Sequence, residues 1–231
     1  MSETVSFFRG QAAGDILMSQ PLIAEVIRRG GHAEYHTDAR FRRLVEVLGC
    51  VWRPYGEAPR GRRVDLEGAT ETRNGTGHNG VDAFMDHSGI ASRFRQPWLP
   101  LPIRPSGNPS RIGVAVLAQG AMRSLSDSAA TALLGTLVGR GFEPVLLGHR
   151  RPCFALPAGV EDHTGRHADF VDAAVEIAGL AGLVATDNGL MHAAAAIGIK
   201  TIGICGPMPP AARAVYYPSL LPINISVPCG P

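Results

Sequence analysis

The sequence predicts an α/β fold of two small, doubly wound domains that face each other across a cleft. Three observations predict this fold class. Short apolar runs alternate with segments of helical spacing along most of the 231 residues, the alternation stops at a Pro-rich stretch, and it then starts again. Alternating strands and helices are typical of parallel sheets with helices on both faces. A composition of 45% hydrophobic and 18% charged residues agrees with such a folded protein.

Apolar runs in the first half predict strands over residues 5–8, 33–36, 51–52 and 81–85. Apolar residues at helical spacing predict helices over 16–27 and 39–48, and Pro21 predicts a kink or a late start in the first of them. Gly, Pro, Arg and polar residues replace both patterns over 54–80, which indicates a long loop. A linker follows at 96–109, where five prolines disfavour helix and sheet alike.

The same alternation returns in the second half. Strands are predicted over residues 112–117, 144–147, 183–185 and 201–205, and helices over 127–138, 170–177 and 190–197. The last residues, 216–231, are rich in proline and are predicted to wrap the surface. These elements divide the chain into two predicted Rossmann-like domains, residues 1–105 and residues 106–231.

The turn between the strand at 183–185 and the helix at 190–197 is the most informative single feature. Its residues are Thr186, Asp187, Asn188 and Gly189. His192 falls near the end of the first helical turn. The first N–H groups of a helix have no partner inside the helix and the dipole makes this end positive, so the turn can seat a phosphate. An ordinary capped helix with His192 on its surface explains the same residues.

Polar residues follow several of the predicted strands. They are Asp15, the segment 86–88, the turn around Arg123, His149 and the turn at Asp187. Ligands of doubly wound sheets bind beyond the carboxyl ends of the strands, so these residues are expected around one cleft. Candidate contacts for a nucleotide or an acceptor are Gly14, His87, Ser88 and His149. A polar turn or a surface histidine explains the last three equally well.

The composition also excludes several classes of protein. No apolar run approaches the roughly 20 residues of a membrane span. The N-terminus lacks the basic and apolar order of a signal peptide, so a cytoplasmic location is expected. The cysteines, Cys50, Cys153, Cys205 and Cys229, have neither metal-ligand nor disulfide-framework spacing. Neither kind of site is therefore predicted.

Arginines cluster in the first half. Seven lie between residues 39 and 63 against two glutamates, a local balance of 7 − 2 = +5. The candidates for contact with a polyanion or nucleic acid are Arg40, Arg42, Arg43, Arg60, Arg62 and Arg63. Such a patch can attract a phosphate-rich partner, although a solvated helix and loop explains the same charges.

Two separated motifs point to one family. The first runs from Gly14-Asp15-Ile16-Leu17 to Pro21-Leu22, and the second is Asp187-Asn188-Gly189-Leu190-Met191-His192, followed by alanines and a Gly-Pro turn. Together they resemble the heptosyltransferases of glycosyltransferase family 9, which have the GT-B fold. Members typically carry a Gly-Asp turn after the first strand and an Asp-Ser/Thr-Gly-x-x-His turn in the second domain. The similarity extends loosely over nearly the whole chain.

The resemblance implies roles for individual residues. In that family the Asp of the first turn acts as base on the acceptor hydroxyl, which makes Asp15 the candidate catalytic residue, while a helix N-cap is its structural alternative. The second domain binds the donor's diphosphate, which implies a seat formed by Thr186, Asp187, Asn188, Gly189 and His192. Arg123 falls where the family usually has a phosphate-contacting Lys, and a guanidinium can pair with phosphate.

The chain also departs from the family pattern. Asn188 replaces the usual Ser or Thr, and Ser124 follows Arg123 where a Trp is common soon after the Lys. The chain is shorter than typical members and shows no long C-terminal helix that returns to the first domain. These departures bear on the acceptor more than on the donor.

The sequence therefore predicts an inverting glycosyltransferase that moves a sugar from an ADP-heptose-like donor to an acceptor hydroxyl, by the resemblance one of a lipopolysaccharide core. No Asp-x-Asp pair is present to hold a metal-bound diphosphate, so metal-independent transfer is expected, with no cofactor besides the nucleotide sugar. Two alternatives stay open. The arginine cluster favours the same chemistry on a hydroxyl of a nucleic-acid base. The missing Trp and the compact chain favour a nucleotide-binding module without activity.

Overall fold

The computed structural model describes residues 3–71, 78–104 and 107–225, which form two parallel sheets. In the first half the strands are β1 (Thr4–Phe8), β2 (His32–Thr37), β3 (Val51–Pro54) and β4 (Arg62–Asp65). The helices are α1 (Ala13–Met18), α2 (Gln20–Arg28), α3 (Arg42–Val47) and α4 (Gly80–Ser88). A short 3-10 turn, Ala39–Phe41, precedes α3.

The second half forms a six-stranded sheet. Its strands are β5 (Arg111–Ala115), β6 (Glu143–Leu146), β7 (Glu161–Asp162), β8 (Leu183–Thr186), β9 (Thr201–Cys205) and β10 (Leu220–Asn224). Its helices are α5 (Asp127–Gly139), α6 (Phe170–Ile177), α7 (Gly189–Ile197) and α8 (Pro210–Ala214), and a 3-10 turn spans Ala121–Arg123. Every strand pairing in both sheets is parallel, which confirms the predicted α/β class with two parallel sheets.

The strand orders are β3-β2-β1-β4 and β10-β9-β8-β5-β6-β7. The winding direction reverses beside β1 in the first sheet and between β8 and β5 in the second, where Ala185 pairs with Ala115. Ligands of doubly wound sheets bind at such points of reversal, outside the carboxyl ends of the strands. The topology therefore marks the turns after β1, β5 and β8 as the place to look for a site.

The first helical region breaks where the sequence predicts a break. Ser19 separates α1 from α2, and Pro21 lies in the first turn of α2, where its missing N–H leaves no hydrogen bond unmade. Asp15 lies inside α1, whose N-cap is Ala12. Helix capping, the structural alternative for Asp15, is therefore wrong.

One predicted strand is a helix. Residues 81–85 belong to α4, because the Asn79 side chain accepts a hydrogen bond from Val81 N at 2.9 Å and Gly89 ends the helix at a φ of 65°. The apolar residues of this run are buried at helical spacing, Val81 with Phe84 and Met85. A short apolar run does not by itself distinguish a buried strand from a helix. His87 and Ser88 consequently lie in a last helical turn, and the prediction that they follow a strand is wrong.

Three other segments contain strands that the sequence does not predict, and one of these strands is the two-residue β7. Strand β4 lies within the predicted long loop and pairs with β1, although of its four residues Val64 alone is buried. Strand β10 lies within the predicted surface tail and pairs with β9 along its whole length. Both are edge strands, whose exposed polar or mixed residues hide the alternation expected of a strand. Residues 226–231 of the tail lie outside the described part of the chain.

The two sheets are connected through a shared apolar core. Helices α1 and α7 pack together, and buried residues of both halves, such as Leu17 and Ala194, belong to one continuous cluster. Leu99 of the predicted linker is buried, and its N–H donates to the carbonyl of Ala196 at 3.1 Å. The predicted domain boundary at 105–106 lies outside the described residues. Within the described ranges no helix has the length and apolar character needed to cross a membrane.

Candidate functional site

A cavity of about 1680 Å³ lies between the turns that follow β1, β2, β5, β6 and β8. Eight of the catalytic, diphosphate-binding or nucleotide-contact residues predicted from the sequence line it: Gly14, Asp15, Arg123, His149, Asp187, Asn188, Gly189 and His192, the last in the first turn of α7. Thr186, His87 and Ser88 do not line it. Thr186 is buried, and Ser88 Oγ donates to the carbonyl of Met85 at 3.1 Å, so both side chains serve the local structure.

Asp187 is the centre of the second-sheet part of this cavity. The carboxylate is almost fully buried, and Arg213 Nε donates to its Oδ2 at 3.3 Å. Arg123 Nη1 lies 3.7 Å from the same oxygen and donates to the backbone carbonyl of Asp187 at 3.3 Å. His192 Nε2 lies 3.6 Å from Oδ1. One carboxylate thus holds three nitrogen-bearing side chains at the end of β8.

The environment of Asp187 favours its ionised form. Burial alone raises the pKa of a carboxyl group, because the charged form loses its hydration. Here the contact with His192 and the charges of Arg213 and Arg123 outweigh burial and bring the pKa of Asp187 well below its usual value. Asp187 is therefore a permanent anion within this group of cations.

Asn188 caps α7. Its Oδ1 accepts hydrogen bonds from the N–H groups of Leu190 at 3.0 Å and Met191 at 3.1 Å. Its Nδ2 donates to the carbonyls of Ala115 at 2.9 Å and Leu117 at 3.3 Å. The side chain therefore ties the end of β5 to the start of α7. This residue departs from the family motif, yet an amide here reaches two carbonyls that a Ser or Thr hydroxyl, with a single donor, cannot both satisfy.

His192 connects the two halves of the molecule. Its Nδ1 lies 3.2 Å from the hydroxyl of Tyr217, which is buried. Burial raises the pKa of Tyr217 and outweighs the opposing charge of Arg213, so the hydroxyl stays protonated. On the other side, a Cβ placed on Gly14 would lie 2.8 Å from His192 Cδ2. The two sequence motifs therefore meet at the contact between Gly14 and His192.

Close packing also explains Gly189. Gly189 is not among the described residues with positive φ, so an unusual backbone conformation does not explain this glycine. A Cβ at this position would lie 3.0 Å from the ring of Phe170 and 3.3 Å from Ala13 Cβ. The glycine is required by the approach of α1 and α6 to the start of α7.

Asp15 is held by a buried arginine. Arg9 donates to Asp15 Oδ2 through Nε at 3.1 Å and through Nη2 at 2.5 Å. The same guanidinium lies 3.1 Å from Glu67 and 2.6 Å from Glu71. Burial lowers the pKa of Arg9, but the carboxylates of Glu71 and Asp15 outweigh it and raise that pKa above its usual value. Oδ1 of Asp15 accepts no hydrogen bond from the described part of the chain and is free to face the cavity.

The turn that carries Asp15 to the cavity is strained. Ala12 has a φ of 79°. Among the described residues it is the only non-glycine residue with a positive φ. Its carbonyl accepts from the N–H groups of Asp15 at 3.1 Å and Ile16 at 3.2 Å, which starts α1. Backbone strain at a cavity wall is typical of functional turns, where the surrounding structure holds an unfavourable conformation in place.

The arginine cluster does not form a free cationic surface. The arginine–carboxylate separations are 3.9 Å for Arg40–Asp38, 2.8 Å for Arg42–Glu46, 3.2 Å for Arg43–Asp169, 3.5 Å for Arg60–Glu57 and 2.9 Å for Arg63–Asp65. Arg62 donates to the carbonyl of Ser88 at 2.9 Å. The cavity is lined by Arg40, Arg42 and Arg43 but not by Arg60, Arg62 or Arg63. Because the charges are largely offset, the cluster lends no support to nucleic-acid binding.

Sequence reasoning missed three residues of this site. Arg213 lies in the segment just before the predicted tail, Tyr217 lies inside that tail, and Arg9 lies in the turn after the strand predicted at 5–8. Arg9 directly follows β1, so its position at a strand end was a usable signal. For Arg213 and Tyr217 no local signal exists, because only the tertiary fold of the segment after β9 brings them to Asp187 and His192.

No protein-family model matches the sequence, and no curated protein matches it either. Solved structures do match. The E. coli heptosyltransferase WaaC with ADP matches with a TM-score of 0.69 and 15% identity, over 96% of this chain and 93% of that one. The chain has the heptosyltransferase fold. At this identity the similarity establishes the fold, and it confirms the family resemblance at that level.

Two further structures extend the likeness to the heptosyltransferase fold. A glycosyl transferase of family 9 from Veillonella parvula matches with a TM-score of 0.66 and 10% identity, over 96% of this chain and 86% of that one. The dodecameric, iron-containing heptosyltransferase TibC in complex with ADP-D-beta-D-heptose matches with a TM-score of 0.73 and 14% identity. That match covers 95% of this chain and 62% of TibC.

The described residues offer no evident metal centre. Within 3–71, 78–104 and 107–225, no group of three or more His, Cys, Asp or Glu side chains is placed to hold a metal ion. The structural neighbour TibC is iron-containing. Metal-independent transfer therefore stays a prediction for this chain.

Proposed function

We propose that this protein is a glycosyltransferase that moves a sugar from an ADP-heptose-like nucleotide diphosphate to an acceptor hydroxyl, inverts the anomeric centre and needs no metal ion. The donor class rests on the fold, since structural neighbours are heptosyltransferases with ADP and with ADP-D-beta-D-heptose. The two parallel-sheet units are proposed to be domains, with the cavity as the cleft between them, as the sequence predicts.

One observation carries the proposal. The helix that bears Asp15 and the turn that bears Asp187 meet at Gly14 and His192, so that a carboxylate and a group of cations line the same cavity from opposite sheets. An inverting displacement at an anomeric carbon is assisted by a base beside the incoming oxygen and by cations beside the leaving diphosphate. Either group alone is common in proteins, but their convergence fits sugar transfer from a diphosphate.

The cations are suited to the leaving group. As the bond between the anomeric carbon and the phosphate oxygen breaks, negative charge accumulates on the departing diphosphate. Arg123, Arg213 and Asp187 together carry a net charge of about +1 at neutral pH by their usual ionisation. His192, whose Nε2 lies 3.6 Å from the same carboxylate, can add a hydrogen bond. These fixed groups stabilise the charge without reorganisation at the moment of reaction.

Asp15 is suited to the incoming group. The acceptor oxygen forms its bond to the anomeric carbon while its proton passes to Asp15 Oδ1, and the nucleoside diphosphate leaves from the opposite face. This single displacement inverts the anomeric centre. Arg9 holds Oδ2 and so fixes the orientation of the carboxylate, which leaves the other oxygen to accept the proton. A positioned base of this kind contributes roughly 10²- to 10⁴-fold.

The test combines donor binding with turnover. ADP-, UDP-, GDP- and CDP-sugars are first screened for binding to the full chain, and release of the nucleoside diphosphate is then measured with Asp15→Asn and with Asp127→Asn. Asp127 is exposed in the first turn of α5 and does not line the cavity, so it serves as the matched control. Asp15→Asn is expected to lower kcat by about 10²- to 10⁴-fold with donor affinity little changed.

Two outcomes contradict the proposal. If Asp15→Asn turns over as fast as the unmodified chain, the base is assigned wrongly. If a nucleotide sugar binds but is not turned over with any acceptor hydroxyl, the protein is a nucleotide-binding module instead.

A further inference from the structure

Arg213 presents an unused hydrogen-bonding edge to the cavity. The side chain is 12% exposed and lines the cavity, and its Nε donates to Asp187 Oδ2 at 3.3 Å. Its two terminal nitrogens, Nη1 and Nη2, donate no hydrogen bond to any described residue. A guanidinium that is nearly buried normally has most of its five N–H groups paired. The free pair of nitrogens therefore points to an anionic ligand that completes this site.

The chemistry of the pair suits a phosphate. Two parallel N–H groups of one guanidinium match two oxygens of a phosphate, and such charge-assisted pairs are shorter and stronger than neutral hydrogen bonds. Asp187 accepts a hydrogen bond from Nε, and this contact does not use Nη1 or Nη2. Arg123 Nη1 also lies 3.7 Å from Asp187 Oδ2. Two cations thus share one buried counter-ion.

Other groups at this turn are already engaged. The first N–H groups of α7 that the sequence predicts as a phosphate seat include those of Leu190 and Met191, and both donate to Asn188 Oδ1. The donors of the Asn188 amide are also taken, by the carbonyls of Ala115 and Leu117. Asp187 itself is an anion and repels a phosphate. Binding of a diphosphate here therefore depends on cationic side chains more than on the helix terminus.

We infer that Arg213 binds the diphosphate of the donor directly through Nη1 and Nη2, and that Asp187 is a positioning residue that orients Arg213 and does not touch the phosphates. The inference deepens the proposed function and rests on it. It moves the main phosphate contact from the Asp187 turn to α8, a short helix that the sequence motifs do not include.

The experiment measures binding of ADP, inorganic pyrophosphate and adenosine to the full chain by calorimetry, with ligand-observed NMR for the weakest ligand. The variants are Arg213→Met, Arg213→Lys and Arg140→Met. Arg140 is exposed at the end of α5, away from the cavity, and is the matched control. Thermal unfolding of each variant is recorded beside the binding data.

Arg213→Met is expected to raise the Kd of ADP and of pyrophosphate by about 10- to 100-fold and to change that of adenosine by less than about 3-fold. Arg213→Lys keeps a charge beside Asp187 but loses the paired geometry, so an intermediate loss is expected. If Arg213→Met does not fold, Arg213→Lys decides the question by the same comparison of ADP with adenosine.

Three results overturn the inference. Equal ADP binding by the unmodified chain and both Arg213 variants removes Arg213 from the site but leaves the proposed function intact. A parallel loss of ADP and adenosine binding shows a general structural role. If the unmodified chain binds neither ADP nor pyrophosphate, nor any of the four nucleotide sugars of the donor screen, the donor half of the proposed function is wrong, and this inference with it.

Discussion

The substitution Gly14→Ala tests whether the two sequence motifs meet as the structure places them. The added Cβ would lie 2.8 Å from His192 Cδ2 and 3.4 Å from Nε2. The shorter distance is about 0.7 Å below the usual carbon–carbon contact of about 3.5 Å. Gly14 has helical backbone geometry within α1, so alanine fits the backbone itself. The imidazole ring must therefore move away from Gly14 and, with it, from Asp187 or Tyr217.

Two opposing effects set the magnitude. Replacing a glycine in a helix by alanine stabilises by roughly 0.5–1 kcal/mol, whereas overpacking a close-packed core costs about 1–3 kcal/mol. The two ranges combine to a net loss of about 0–2.5 kcal/mol, and at about 2–4 °C per kcal/mol for a chain of this length Tm falls by up to about 10 °C. Donor affinity is expected to fall as well, because the displaced ring disturbs the group around Asp187.

The assay is urea unfolding of four chains: the unmodified protein, Gly14→Ala, His192→Ala and the double variant. In the His192→Ala background the ring is gone, so Gly14→Ala is expected to change sign and stabilise by roughly 0.5–1 kcal/mol. This reversal separates a steric clash with His192 from a general effect on α1. Gly14→Ala with the same stability change in both backgrounds would refute the contact.

The remaining predictions concern the N-cap of α7 and the loss of stability at acidic pH. Asn188→Ala removes the N-cap of α7 and the hydrogen bond to the end of β5. The free energy of unfolding is therefore expected to fall by about 1–3 kcal/mol in urea titrations. An unchanged value would contradict this structural role of Asn188. Glu25 accepts hydrogen bonds from Arg28 and Arg29, and although burial opposes them, its pKa falls to about 2. Because the folded pKa lies below the usual 4.5, this stabilisation is present above about pH 4.5 and is lost as the pH falls toward 2. Glu25→Gln should therefore be less stable at pH 7, with a difference that shrinks over that range; a constant difference would argue against the pair.

Local pattern sufficed for the buried elements of the fold. Strand β9 and helix α6 have the bounds that the sequence predicts, because uninterrupted apolar runs or helical spacing end at clear stop signals. Strand β4 was not predicted, because it lies at an exposed edge of the sheet and consists of arginine and aspartate apart from one valine. The apolar run at 81–85 is compatible with a strand or a helix. The N-cap residue Asn79, which favours the helix, lies outside the run.

The site was predictable only in part, for a similar reason. Asp15 and the Asp187 turn follow predicted strands, so their convergence could be inferred from topology. The partners that define their chemistry, Arg9 for Asp15 and Arg213 for Asp187, depend on how loops and α8 fold back onto the strand ends. The sequence also did not show that the side chain of Asn188 makes its hydrogen bonds within the fold. A helix cap and a ligand contact use the same polar groups, so the residue type does not distinguish them.

The most direct measurement is a crystal structure of the full chain with the nucleotide-diphosphate sugar that binds best in the donor screen. The diphosphate is expected within about 3 Å of Arg123 and Arg213, in the range of charge-assisted hydrogen bonds. The anomeric carbon is expected between the diphosphate and Asp15 Oδ1, with space for an acceptor oxygen beside the carboxylate. A diphosphate bound at Arg40–Arg43, or a sugar turned away from Asp15, would contradict the proposed transfer.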